Sequence, residues 1–384
     1  MDNKRVFFPG LNSIRCVAVL LVIITHIESF KNKSGGYSLF KVEKLKLFIE
    51  NIGHHGVIIF FALSGFLITY LLLTENERTG TVDIKKFYIR RALRIWPLYF
   101  LVVVLGFFVW PYIFNPSYFP VKTHPHLFAK LFLTVAFLPN AMLFAYGSIF
   151  TIGVLWSIGT EEQFYLVWPW LVRKVNANLL PRVLIGILAI IVLLKVILWL
   201  GIEKYHTGPG VHKMLFVAYH FLEYDAMLVG AFAAVVYYYK KKQLSLIYSK
   251  WTQLIAFCLV GIMLFIAPDL GPFTNLVFAN LYVVLILNIS TNTQTILKAV
   301  NPVSEFLGKI SFGIYLYHSV CIAACLALLS RFKNMELLTY NIVLYTLVIS
   351  STVLISTISF YVLEKPILNY KTGFMIVKSG SSSA

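Results

Sequence analysis

The chain has 384 residues, of which 59% are hydrophobic and only 13% charged, with a formal net charge of +17. This composition excludes an ordinary soluble domain, and repeated apolar runs of about 20 residues predict an all-α polytopic membrane protein. The positive excess has no polar domain on which to form a nucleic-acid surface, so it belongs to loops on one side of a bilayer and no nucleic-acid partner is expected.

The first predicted span, 12–30, contains "IRCVAVLLVIITHIE". Lys4 and Arg5 precede it and no small-residue cleavage site follows, so it reads as an uncleaved helix. Arg15 and His26 stand eleven residues apart in it, on one helix face and about 16 Å apart along the axis. A centred arginine in hydrocarbon costs from about 2.5 kcal/mol upward, so intramembrane ionisable residues point to function. The plainer alternative has Arg15 snorkelling at one interface and His26 at the other.

The second span is predicted over 52–74 and the third over 95–113. Just before the third, "FYIRRALRIWPLYF" carries Arg90, Arg91 and Arg94, with Arg90 and Arg94 one turn apart. Loop charge alone would explain any one of them, but three guanidinium forks beside Arg15 also suit phosphates. The stretch 127–149 is the weakest, with Lys130 near its start and Pro139-Asn140 in its middle. If it does not span, ten helices put 20 Lys/Arg on the side of the N-terminus and 11 on the other. If it spans, Lys240, Lys241 and Lys242 face outward. The positive-inside rule therefore favours ten transmembrane helices, both termini cytoplasmic, with 127–149 a re-entrant or interfacial helix. Lys31, Lys33, Lys41, Lys44 and Lys46, all assigned to the first outer loop, run against that rule.

The span 152–172 contains "LWSIGTEEQFYLVWPWL", with Glu161 and Glu162 near mid-membrane, at a depth compatible with His26. Neighbouring helical residues diverge by about 100°, so the two glutamates are expected to have different partners. The span 183–201 carries Lys195, and 215–238 contains "HFLEYDAMLVGA", which adds His220, Glu223 and Asp225. After 251–267 and 273–291, the span 308–330 holds "SFGIYLYHSV", with Tyr315 and with His318 mid-way along it; a lone histidine there is more readily a packing residue than a catalyst. The last span is 341–363. Cys16, Cys258, Cys321 and Cys325 all lie in apolar runs and carry neither a disulfide framework nor metal spacing. There is no P-loop and no nucleophile elbow. The chemistry suggested has two ends. Cationic forks hold a phosphorylated donor, and a deeper histidine, oriented by a carboxylate, takes a proton from an acceptor hydroxyl.

In these blocks the chain resembles the acyltransferase-3 family of membrane acyltransferases, which O-acylate surface glycans. The matching segments are "LNSIRCVAVLLVIITHI", "GVIIFFALSGFLITYLL", "FYIRRALRIWPLYF", "LWSIGTEEQFYLVWPWL", "YDAMLVGA" and "LGKISFGIYLYHSV", in the family's order along nearly the whole chain. The resemblance implies ten core helices, acyl-CoA as a cytoplasmic donor and an acceptor reached from the other side. By motif, His26 corresponds to the essential histidine, Arg15 to its partner arginine, and Arg90 and Arg94 to the cytoplasmic arginine motif. Two positions depart from the family: Asn12 replaces an aspartate in the first block, and Glu223 replaces an arginine two residues before Asp225.

The resulting expectation is one transmembrane acyltransferase domain over 1–371 with a flexible tail at 372–384, a stand-alone unit of a bacterial inner membrane. It would transfer an acyl group, acetyl first of all, from acyl-CoA to a hydroxyl of a polysaccharide or lipid-linked sugar. His26, Glu161 and Glu162 are the catalytic candidates, and Arg15, Arg90, Arg91 and Arg94 the donor site. Asp225, Tyr315 and His318 are candidates for acceptor contact or support. Neither a metal nor a permanently bound cofactor is expected. The rival reading is a transporter or flippase of a glycan that uses the same charges as a substrate path.

Overall fold

A computed structural model describes residues 5–33, 43–113, 126–147, 149, 151–204, 209–298, 300–332 and 335–377. Its described elements are helices: α1 (Leu11–Lys33), α2 (Glu43–Thr79), α3 (Ile84–Val104), α4 (Trp110–Ile113), α5 (Leu127–Val135), α6 (Pro139–Tyr146), α7 (Leu155–Lys174), α8 (Leu180–Lys204), α9 (Pro209–Phe221), α10 (Asp225–Tyr239), α11 (Lys250–Ile266), α12 (Thr274–Thr291), α13 (Pro302–Lys309), α14 (Ser311–Leu329), α15 (Leu337–Ser359) and α16 (Lys365–Lys371). Two π turns, Leu105–Val109 and Phe360–Glu364, continue α3 and α15.

Eight helical runs among these residues are long and apolar enough to cross a membrane, and the protein is an integral membrane protein. The sequence predicts ten spans, and the difference lies in two helices. Helix α11 has 17 residues, a length of about 26 Å against a hydrocarbon core of about 30 Å. Helix α7 has 20 residues but carries Glu161, Glu162 and Gln163 in its middle and Arg173 and Lys174 in its last turn. The stretch 127–149 divides into α5 and α6, of nine and eight residues, broken where Phe137 takes a φ of 58°. Neither piece is long enough to span alone.

Helices α1, α2 and α10 pack together at the centre. Gly65 of α2 and Gly230 of α10 make this contact close. A Cβ on Gly65 would sit 1.9 Å from the Met227 carbonyl oxygen, and one on Gly230 would sit 2.0 Å from that of Ala62. Helix α14 lies almost wholly inside the bundle, against α1 and α15.

Three boundaries shift the chemistry. Helix α3 begins at Ile84, so Arg90, Arg91 and Arg94 lie on the helix rather than ahead of it; Asp83 Oδ1 caps it by accepting the Lys86 amide at 2.9 Å. The predicted span at 215–238 is interrupted between Phe221 and Asp225, which puts Glu223 in a turn and Asp225 at the start of α10. Helix α1 runs past the predicted end of its span, so Lys31 is not a loop residue. It is fully buried, with Nζ 2.5 Å from Glu28 Oε1 and 2.6 Å from Asn341 Oδ1. Lys44 and Lys46 sit exposed on the first turns of α2, while Lys41 and the Lys33 side chain lie outside the described residues. The predicted tail is described as far as residue 377; its 378–384 portion lies outside the described residues.

Candidate active site

Arg15, Arg91 and Arg94 meet on one cleft between α1, α2, α3, α7 and α14. Ser64, Glu161, Tyr165 and Tyr315 share its walls. Arg15 is fixed by Asn12, whose Oδ1 accepts from Nη1 at 3.0 Å. The other end of the same amide, Nδ2, donates to Glu305 Oε2 at 2.9 Å. An aspartate at position 12 could accept from Arg15 but could not donate to Glu305, so the departure in the first block has a local reason. Arg91 lies over the rings of Phe87 and Tyr165, at 5.7 and 5.4 Å.

Arg90 is engaged elsewhere. Its Nη2 is 2.8 Å from Glu75 Oε2, and Nη1 donates to the Phe374 carbonyl at 3.1 Å. It lines a second, smaller cavity of about 540 Å³, roofed by Met375 and Val377, which Arg91 and Arg94 also line. Arg91 and Arg94 therefore stand between the two cavities, and Arg90 borders only the second.

Glu161 and Glu162 do take different partners. Tyr165, itself bonded to Ser64, donates to Glu161 Oε2 at 3.1 Å, on the cleft. Trp96 Nε1 donates to Glu162 Oε2 at 3.1 Å, toward α3. The group that meets His26 Nδ1 is neither carboxylate but His318 Nε2, at 2.7 Å. The two rings are nearly coplanar, 12° apart with centroids 4.9 Å apart, and meet edge to edge; the Phe30 ring centroid is 5.6 Å from that of His26. His318 is fully buried. Between this pair and the cleft stands Tyr315, whose ring centroid is 5.8 Å from that of His318 and whose hydroxyl is 2.7 Å from Ser157 Oγ. Tyr315 thus lines the arginine cleft with its hydroxyl near Ser157 and lies beside the histidine pair.

Asp225 is not brought to the cleft. It forms a buried ion pair with Lys195, Oδ2 to Nζ at 2.8 Å. Glu223 and His220 are 4.0 Å apart, and Glu223 Oε2 makes no hydrogen bond.

Two groups are not picked out by the sequence. The Glu28–Lys31 pair, to which Tyr345 also donates at 2.8 Å, has a signal in its i,i+3 spacing. Glu364 lies buried in the second π turn with Oε1 unpartnered, and Arg94 is the cation it faces. Nothing in the local sequence announces that turn.

The chain is 26% identical to peptidoglycan O-acetyltransferase OatA of Listeria monocytogenes over 97% of its own length and 58% of that protein. It is 27% identical to O-acetyltransferase OatA of Staphylococcus aureus, over 96% of its own length and 58% of the relative. It thus spans less than two thirds of each of these relatives. No solved structure matches it significantly. The model of the acyltransferase-3 family, described as an acyltransferase domain, matches residues 8–361, and the chain belongs to that family.

Proposed function

We propose that the protein transfers an acetyl group from cytoplasmic acetyl-CoA to a hydroxyl of a cell-envelope polysaccharide, in a bacterial inner membrane, with both termini in the cytoplasm. Peptidoglycan, the polymer for which the Listeria relative is named, is the first acceptor to test. The observation that carries the reading is the cleft on which Arg15, Arg91 and Arg94 converge. Guanidinium forks of this kind suit the phosphates of CoA. None of the three makes an ion pair among the described residues; Arg15 is held by Asn12, and the donors of Arg91 and Arg94 are open to an anion. Glu161 on the same wall offsets part of the charge and keeps the empty cleft tolerable in a low dielectric.

His26 is the proposed base. It takes the proton of the acceptor hydroxyl as the oxygen attacks the thioester carbon, and the C–S bond breaks with its electron pair on sulfur. The same proton then goes to the CoA thiolate. Only a neutral imidazole can begin this step, so the rate should rise as the ring loses its proton. The location of Arg90, Arg91 and Arg94 on α3, near the more basic side of the bundle, supports the cytoplasmic assignment. The burial of Lys31 within an ion pair supports it too, by removing one charge from the opposite loop.

The test is incubation of purified protein with radiolabelled acetyl-CoA and candidate glycans. Label in the glycan, lost in His26→Ala with CoA affinity retained, is the expected result. A folded protein that neither binds CoA nor moves label would overturn the reading. A flippase would need no CoA, and that rival is disfavoured by relatives named as O-acetyltransferases.

A further inference from the structure

We infer that His318 is a positioning residue for the transfer: its Nε2 accepts the Nδ1 proton of His26, which fixes the tautomer of His26 and leaves Nε2 as its basic atom. The inference rests on the proposed role of His26 and adds a second residue and a specific nitrogen to it.

A distance of 2.7 Å between two ring nitrogens requires one proton between them. If His318 Nε2 carried that proton, the lone pair of His26 Nδ1 would be consumed in accepting it. A neutral His26 would then present only an N–H at Nε2, and it could not act as a base there. If His26 Nδ1 carries the proton, Nε2 keeps the lone pair that a base needs.

The contacts at His318 Nε2 favour the second arrangement. The Ser319 hydroxyl lies 3.4 Å from the same His318 Nε2, so two groups able to donate converge on that atom. A lone pair there serves both. His318 Nδ1 has no hydrogen-bond partner among the described residues, so the polar contacts of the ring gather at Nε2. His318 is fully buried, with the Tyr315 ring 5.8 Å away and the His26 ring meeting it edge to edge.

During transfer His26 becomes an imidazolium when Nε2 takes the acceptor proton. Its Nδ1–H continues to donate to His318, whose neutral ring stabilises the cation as the carboxylate of a catalytic triad does, without itself taking the proton. The proton returns from His26 Nε2 to the thiolate, and His318 is neutral at both ends of the cycle. Its sequence separation of 292 residues from His26 hides the relation from any local motif.

The experiment measures kcat and KM for acetyl transfer, CoA affinity and melting temperature in His26→Ala, His318→Ala, His318→Gln and His318→Asn. His318→Ala should lose about 10²- to 10⁴-fold in kcat, the range expected of a base left in the wrong tautomer or without its support. Its CoA affinity should stay within about twofold of native, because the arginines lie beyond Tyr315. The glutamine amide oxygen reaches about the Nε2 position and accepts without titrating, so His318→Gln should recover at least about tenfold over alanine and keep the single rising pH limb of His26. Asparagine stops near the Nδ1 position and should not recover. If alanine fails to fold, the glutamine and asparagine variants carry the comparison alone. Folded His318→Gln no better than His318→Asn, or folded His318→Ala with native kcat, would overturn the inference while leaving His26 in place. Activity in His26→Ala would instead remove the base itself.

Discussion

The arginines of α3 divide into two classes, and the division predicts opposite phenotypes for neighbouring residues. Arg94→Ala removes a guanidinium from the cleft that has no ion pair to lose. If it holds a CoA phosphate, one charge-assisted hydrogen bond is worth about 1.5–3 kcal/mol, which is about 10- to 150-fold in Kd. Melting should fall less than in Arg90→Ala, because the buried Glu364 that Arg94 faces makes no hydrogen bond to it. Arg90→Ala removes the cation from Glu75, whose side chain is 2% exposed and which keeps only the Asp83 amide, at 2.8 Å from its other oxygen. One-sided removal from a buried pair costs about 3–5 kcal/mol. The Arg90 side chain is 14% exposed, so water offsets part of this and the lower end applies. The same variant releases the Phe374 carbonyl. Melting should therefore fall by several degrees while CoA affinity stays within a few-fold. Adding Glu75→Gln to Arg90→Ala should return part of the melting temperature, because an amide tolerates the site better than an unpaired carboxylate. Calorimetric titration of CoA in detergent and thermal unfolding of the same samples read both quantities. Arg90→Ala losing CoA affinity as Arg94→Ala does, with native melting, would refute the division.

Asn12→Asp should lower stability by about 1–3 kcal/mol, since it places a second carboxylate beside Glu305, and Glu305→Gln should rescue it; an unchanged melting temperature would contradict the amide bridge. Gly65→Ala drives a methyl into the Met227 carbonyl, 1.9 Å from the ideal Cβ, and should cost about 1–3 kcal/mol or more, visible as a lower yield of monodisperse protein. Lys195→Met strands a fully buried Asp225 and should cost about 3–5 kcal/mol, most of it restored in Lys195→Met with Asp225→Leu; protease resistance of the three proteins separates the outcomes. Asp83 is held below the ordinary carboxylate range chiefly by the Lys86 amide. A depressed folded pKa gives stability present above the unfolded value and lost as pH falls. Asp83→Ala should thus cost about 1 kcal/mol at neutral pH, and its melting curve should converge on the native one as pH falls below about 4.

What is legible in the sequence is what single helices carry. Arg15 and His26 stand out because ionisable groups in an apolar run are costly, and that argument needs no partner. That 127–149 forms no single spanning helix is suggested by Pro139-Asn140 in its middle and by the charge balance of the flanking loops, but its division into two helices is not. The start of α3 is hidden although Asp83 is a good cap, because the first turns are polar and a hydropathy pattern begins only at Ile95. His318 looks like a packing residue because its partner belongs to α1. One helix wheel shows a face, and only the packing of α1 on α14 shows what that face meets. Lys31 looks like a loop charge because its burial depends on Asn341 and Tyr345 of α15. Glu364 requires a π turn, which shifts the register of the side chains after it by one residue and cannot be read from spacing.

The separation of the arginines from the histidines is itself a physical requirement of the proposed reaction. CoA phosphates are too costly to carry into hydrocarbon, whereas a thioester on a neutral arm is not. A protein that keeps the phosphates on Arg91 and Arg94 and the base eleven residues from Arg15 on α1 moves only the uncharged end over the intervening distance of about 16 Å. The acceptor hydroxyl then needs to come no deeper than His26, which is partly exposed while His318 behind it is not. Tyr315 lines the arginine cleft and lies beside His318, its hydroxyl held by Ser157, so in the proposed reaction the acyl arm would pass it. Tyr315→Phe keeps the ring and removes only the hydroxyl, so it should bind CoA normally and transfer within about tenfold of native. Tyr315→Trp blocks the passage and should bind CoA but not transfer. Transfer by a folded Tyr315→Trp at the native rate would mean that the acyl group reaches His26 by another path.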